Sequence, residues 1–128
     1  MSEPKAIRVE IPFLPPAELD PNWRGHWSKR ARAARQYRRD AMLCALDAGN
    51  ISATAFQRAE LDVTIIVADL RHIRDTDNLM ASLKPAIDGC IDAGIIQDDN
   101  PDCLIYHTPA YEVDKERSPL TILEFRKG

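Results

Sequence analysis

At 128 residues, with 45% hydrophobic and 29% charged side chains and a net charge of −3, the chain has the make-up of one soluble globular domain spanning residues 1–128. No apolar run approaches the ~20 residues of a membrane span, and Met1 to Lys5 lack the apolar stretch of a secretory signal. Three cysteines, Cys44, Cys90 and Cys103, fit neither a zinc pattern nor a compact disulfide framework, so reduced thiols in a cytoplasmic protein are expected. The small net charge hides a division. From Arg24 to Arg39 there are seven basic residues (Arg24, Lys29, Arg30, Arg32, Arg35, Arg38, Arg39) and no acidic one, whereas Asp75 to Asp99 hold six aspartates and only Lys84. A positive segment beside a negative one suits a protein that grips a polyanion around an acidic centre.

Ile7, Val9, Ile11 and Phe13 alternate with Arg8, Glu10 and Pro12, which predicts a first strand with one buried face, stopped by Pro15-Pro16. A loop runs through Asp20 to Trp27. Ser28 is the expected cap of a first helix over Lys29 to Asp47, with Ala33, Tyr37, Ala41 and Cys44 or Leu46 inward and Gly49-Asn50 at its end. Leu61, Val63, Ile65 and Val67 predict the inner face of a second strand. A mixed-charge loop from Asp69 to Thr76 follows, then a second helix from Asn78 to Ala93 with Asp77 as cap. Its apolar stripe is Leu79, Leu83, Ile87, Cys90 and Ile91, and Pro85 is expected to kink it. A third strand near Cys103 to Pro109 and a last one from Leu120 to Phe125 complete an α+β two-layer domain, a mixed sheet of about four strands with two main helices.

The chemistry concentrates around the second helix. Asp75 and Asp77, two apart in a segment leaving a strand, can face one point, and paired carboxylates repel unless a cation lies between them. Oxygen-preferring Mg²⁺ suits them, and Asp98-Asp99 would complete its shell. The helix extends ~24 Å at ~1.5 Å per residue. The six residue steps from Ala93 to Asp99 can return at most ~20 Å. Asp99 therefore regains the start of the helix only by running nearly straight, unless a second protomer supplies it. Lys84 and Asp88 follow Asp77 by seven and eleven residues and share its helical stripe.

Arg74-Asp75-Thr76-Asp77-Asn78-Leu79, then Lys84-Pro85-Ala86-Ile87-Asp88-Gly89, then Asp92-Ala93-Gly94-Ile95-Ile96-Gln97-Asp98-Asp99 resemble the RusA-type crossover junction endodeoxyribonucleases. The likeness is weaker upstream, through the first strand, Asn22, Arg24 and Tyr37-Arg38. The resemblance implies that Asp75, Asp77 and Asp99 bind a catalytic Mg²⁺, replaceable by Mn²⁺, with Asp98 beside them and Lys84 assisting. It also implies a homodimer that resolves four-way DNA junctions by paired nicks in recombination and repair. One spacing departs: the founding pattern has the lysine four residues after the second aspartate, and here it is seven, nearly one turn further along. That departure keeps alive a junction-binding protein without turnover. For DNA contact the candidates are the seven basic residues and Trp27, with Trp23 and Tyr37 as further stacking platforms. Among the histidines, His26 and His72 are expected to be incidental and His107 structural.

Overall fold

Alternation in the first segment yields β1 (Ala6–Ile11), with Ile7, Val9 and Ile11 buried and Arg8 and Glu10 outward. The computed structural model describes residues 6–49, 55–69, 71 and 75–128; Met1 to Lys5, Asn50, His72 and Arg74, each of which figured in the expectations above, lie outside them. After β1 the chain turns through a short 3-10 segment, Ala17–Leu19, which buries Leu19. It then enters helix α1 (Trp27–Ala48), strand β2 (Ala59–Val67), helix α2 (Thr76–Ala93), strands β3 (Leu104–Tyr106) and β4 (Ala110–Val113), and finally β5 (Leu120–Lys127).

The sheet is mixed. β5 lies between β1 and β2 and is antiparallel to both, so β1 and β2 run the same way. The expected third strand is divided: β3 pairs with the first residues of β2 (Ala59 with Leu104), and β4 with its last (Thr64 with Ala110), both parallel. Pro109 explains the interruption, because it has no amide hydrogen to give to a ladder. Five strands thus occupy four positions.

The two helices pack on each other, and with the sheet they enclose one core that includes Tyr37, Leu61, Leu79, Leu83, Ile87 and Phe125. The opposite sheet face sets charged and polar side chains around the buried Ile66 and Ile122. There Arg126 Nε donates to Asp62 Oδ2 at 2.6 Å, and His107, just past β3, meets Glu60 Oε1 through Nε2 at 2.7 Å.

In α1 the inward positions are Tyr37, Ala41 and Ala45, a continuous four-residue step, and Leu46 is exposed. Tyr37 is only 1% exposed and packs on Phe13 with ring centroids 5.8 Å apart, so it is a core residue and no stacking platform for DNA. The α1 cap is His26, whose Nδ1 accepts from the Ser28 amide at 3.1 Å; Ser28 is already within the helix.

The interface between α1 and α2 depends on Gly89. A Cβ there would lie 2.2 Å from the Arg38 carbonyl oxygen and 2.9 Å from the Met42 amide nitrogen. Backbone meets backbone at this crossing, and only glycine leaves room. Beside it Arg38 donates to both oxygens of Asp92, at 2.6 and 2.9 Å. α2 continues through Pro85 as one helix. Cys44, Cys90 and Cys103 are free thiols, and burial pushes that of Cys90 up to about 12.

Candidate functional site

The parallel connection from β2 through α2 to β3 fixes where the aspartates stand. α2 begins beyond the end of β2, and β3 pairs with the beginning of β2, so α2 travels the length of the sheet between them. Asp75 and Asp77 are at the starting end. Asp75, not Asp77, is the cap: its Oδ1 accepts from the Asn78 amide at 2.9 Å and its Oδ2 from Asn78 Nδ2 at 3.1 Å. Asn78 therefore orients the Asp75 carboxylate. Asp77 stands exposed in the first turn, where the positive end of the helix favours an anion.

Gly94 ends α2 in the left-handed region at φ 92°, with its amide bonded to the carbonyls of Cys90 and Ile91. The chain leaving it is anchored on both sides. Ala55 and Phe56 donate to the carbonyls of Gly94 and Ile95 at 2.8 and 3.0 Å, and Ile95 and Ile96 are buried. Asp98 turns back on its own loop: its Oδ1 accepts from the Asp99 amide and its Oδ2 from Asn100 Nδ2, both at 2.8 Å. Those bonds, that of the Asp99 amide first, hold the Asp98 carboxyl below the usual carboxylate range.

Asp99 returns to α2 and meets Lys84. The Lys84 ammonium donates to Asp99 Oδ2 and, at 2.7 Å, to Asp88 Oδ1. Partial burial pulls the ammonium down, but the bonds to Asp88 and Asp99 more than reverse it, and the net shift is upward. The cation is thus fixed between two carboxylates. Asp88 also lies 4.0 Å from Arg38, which joins the basic helix to the acidic one. On β3, Tyr106 belongs to this neighbourhood: partial burial, then the charge of Asp99, pushes its phenol up. Sequence reading missed Tyr106; its only signal was a polar aromatic on the strand just after Asp98-Asp99.

The structure therefore brings together Lys84, Asp88 and Asp99, with Tyr106 near enough to feel their charge. Asp77 lies on the same face of α2, but seven residues before Lys84, ~10 Å along the axis at ~1.5 Å per residue. Among the described residues no three His, Cys, Asp or Glu side chains stand close enough to hold a metal. The donors Asp75, Asp77, Asp98 and Asp99 suit Mg²⁺ in kind, all being carboxylate oxygens. Their placement in one protomer leaves Asp99 about two turns from Asp77.

The basic segment is sorted by the fold. Arg24, Lys29, Arg32, Arg35 and Arg39 are exposed and enter no ion pair among the described residues. Trp27 is 74% exposed. Two arginines are engaged: Arg38 with Asp92, and Arg30 with the carbonyls of Asp20 and Trp23 at 3.2 and 3.3 Å. None of the described helices is long and apolar enough to cross a membrane.

No known family profile matches the chain. It is 36% identical over 85 residues, 66% of its length, to an uncharacterised protein of Xylella fastidiosa (strain Temecula1 / ATCC 700964). The match spans 56% of that protein, little more than half its length.

Proposed function

We propose that this chain is a Mg²⁺-dependent endonuclease of branched DNA, resolving four-way junctions as a cytoplasmic homodimer. The observation that carries the reading is the return of Asp99, through Lys84, to the face of α2 that begins with Asp77. Asp75, Asp77 and Asp99 would hold the metal, with Asp98 beside them and Mn²⁺ as a substitute. When bound, it supplies a Lewis acid for the phosphodiester and a source of activated water.

The protein's own groups do the rest. Lys84, held protonated, offsets the charge of Asp88 and Asp99 and leaves the acidic centre approachable by a phosphate. The exposed bases of α1 grip the backbone of the duplex. Because no three carboxylates among the described residues of one protomer stand close enough to hold a metal, dimerisation is part of this reading and not an addition to it.

Cleavage of a synthetic four-way junction tests it. Paired nicks that need Mg²⁺ or Mn²⁺ are expected from the wild type and absent from Asp77→Asn. A wild type that binds the junction yet leaves it intact at every Mg²⁺ and Mn²⁺ concentration would refute the proposal. That outcome would favour the second reading, a junction-binding protein without turnover, which the Asp75 cap and the Lys84–Asp99 pair support by engaging two of the three carboxylates.

A further inference from the structure

A cleft of about 560 Å³ opens between the 3-10 segment and the first turns of α1, lined by Glu18, Trp23, Lys29, Arg32, Ala33 and Gln36. It lies apart from the aspartates of α2, and its size is that of a small-ligand pocket. We propose that it holds one unpaired nucleotide of the DNA, its base stacked on Trp23 and its phosphate between Lys29 and Arg32. The inference rests on the reading of the chain as a DNA-acting protein and extends it from paired arms to an extruded base.

The platform is built before any ligand arrives. β1 ends at Ile11, and Leu19 anchors the turn that follows in the core. The loop then closes on itself, with the Trp23 amide donating to the Asp20 carbonyl at 3.0 Å and the Asn22 amide to Asp20 Oδ1 at 2.8 Å. Arg30 clamps it by donating to the carbonyls of Asp20 and Trp23, and its guanidinium lies 5.8 Å from the centre of the Trp23 ring. Gly25 makes room for the indole: a Cβ there would sit 2.0 Å from Trp23 Cη2 and Cζ2. Arg30 and Gly25 pack against the indole and hold Trp23 half-buried, and its remaining surface forms a wall of the cleft.

The other walls match a nucleotide in chemistry. Lys29 and Arg32 are exposed cations one helical turn apart, suited to a phosphate. Glu18 is an acceptor, and Gln36, whose Nε2 is given to Asp40 at 2.8 Å, offers its carbonyl oxygen; both meet the N–H donors of a base edge. Ala33 keeps the floor low. Stacking of a base on an aromatic side chain tolerates any base, so the site selects for an unpaired nucleotide rather than for a sequence.

Tryptophan fluorescence reads the site directly. The chain has two tryptophans, so in a Trp27→Phe background the emission is that of Trp23 alone. Titration with a short single-stranded DNA is expected to quench it, and Trp23→Leu to weaken that strand's binding about tenfold, while Trp23→Phe, which keeps a ring, restores most of it. Gly25→Ala, which displaces the indole and keeps Lys29 and Arg32, should weaken single-strand binding in the same direction. Unchanged Trp23 emission with the strand bound, or a Trp23→Leu protein that binds it as well as the Trp23→Phe protein does, would overturn the inference. Junction cleavage run in parallel separates the two claims: cutting without quenching sinks the cleft alone, and quenching without cutting sinks the nuclease alone.

Discussion

The two helices carry opposite charge and treat it in opposite ways. On α1 the charges are left to solvent: Lys29, Arg32, Arg35 and Arg39 enter no ion pair among the described residues. On α2 and the loop after it they are tied up, Asp75 by Asn78, Asp88 and Asp99 by Lys84, and Asp92 by Arg38. Asp77 is the exception, exposed in the first turn. A chain of net charge −3 therefore need not repel DNA. What a polyanion meets is set by which charges the fold leaves unneutralised, and among the described residues of the two helices those include Lys29, Arg32, Arg35 and Arg39 of α1 and Asp77 at the tip of α2.

The largest effect expected of a single change is at that exception. Asp77→Asn should lower junction cleavage by about a thousandfold or more, since a metal's stabilisation of a phosphoryl transition state is worth several kcal/mol. It should leave junction binding intact or slightly tighter, because a negative charge leaves the centre. Gel-based cleavage and binding on the same protein check both halves, and a loss of binding would erase the contrast drawn between the helices.

Next comes the crossing that holds the two helices together. Gly89→Ala must push Arg38 and Met42 away at backbone level and should cost ~1–3 kcal/mol or more, read as a lowered melting temperature. A melting curve like that of the wild type would mean that the helices do not approach as closely as described.

Salt dependence draws a finer line within α1 itself. Replacing Lys29, Arg32, Arg35 and Arg39 with Ala should reduce the slope of log affinity against log salt by ~0.9 for each phosphate no longer neutralised. Arg38→Ala should hardly change it, because that guanidinium serves Asp92. As a half-exposed pair, Arg38 and Asp92 are worth at most ~1 kcal/mol of stability. Equal slopes for the two variants would show that the ion pair does not divide the arginines as argued.

The smallest effect is one of pH. The bond from Arg38 holds the Asp92 carboxyl below its ordinary value, so the pair's contribution is complete above the unfolded-state pKa of ~3.9 and fades as pH falls through the lower folded value. Asp92→Asn should therefore be slightly less stable than the wild type near neutrality and lose less on acidification below about pH 4. Urea melts at both pH values measure it.

How much of this could be read from the residues alone differs between the helices too. Strand periodicity in Ile7 to Ile11 and Leu61 to Val67, and the stripe Leu79, Leu83, Ile87, revealed the α+β layers without help, because burial on one face imprints a period that local sequence displays. Caps were read a position or two late. Asp75 and Asp77 both qualify by residue type, and only the backbone angles decide that Asp75 is the cap; His26 does for α1 what Ser28 promised.

What sequence could not weigh was pairing at a distance. Nothing in Arg38 marks it as Asp92's partner rather than a phosphate's, and nothing in Gly89 shows that a neighbouring backbone will lie against it. The return of Asp99 was bounded correctly by chain length, but where it stops depends on β3 pairing with the first residues of β2, which draws the loop toward the far end of α2. Lys84, midway along, is where the two demands meet.

The nuclease reading stands or falls with Asp77 and Asp99 serving the same divalent ion. Binding of Mn²⁺ in the presence of a four-way junction, followed by its paramagnetic signal in wild type, Asp77→Asn and Asp99→Asn, decides the matter. The wild type is expected to bind the ion, and both substitutions to remove the same site. An Asp99→Asn protein that still binds Mn²⁺ as the wild type does, through a site that Asp77→Asn abolishes, would contradict it.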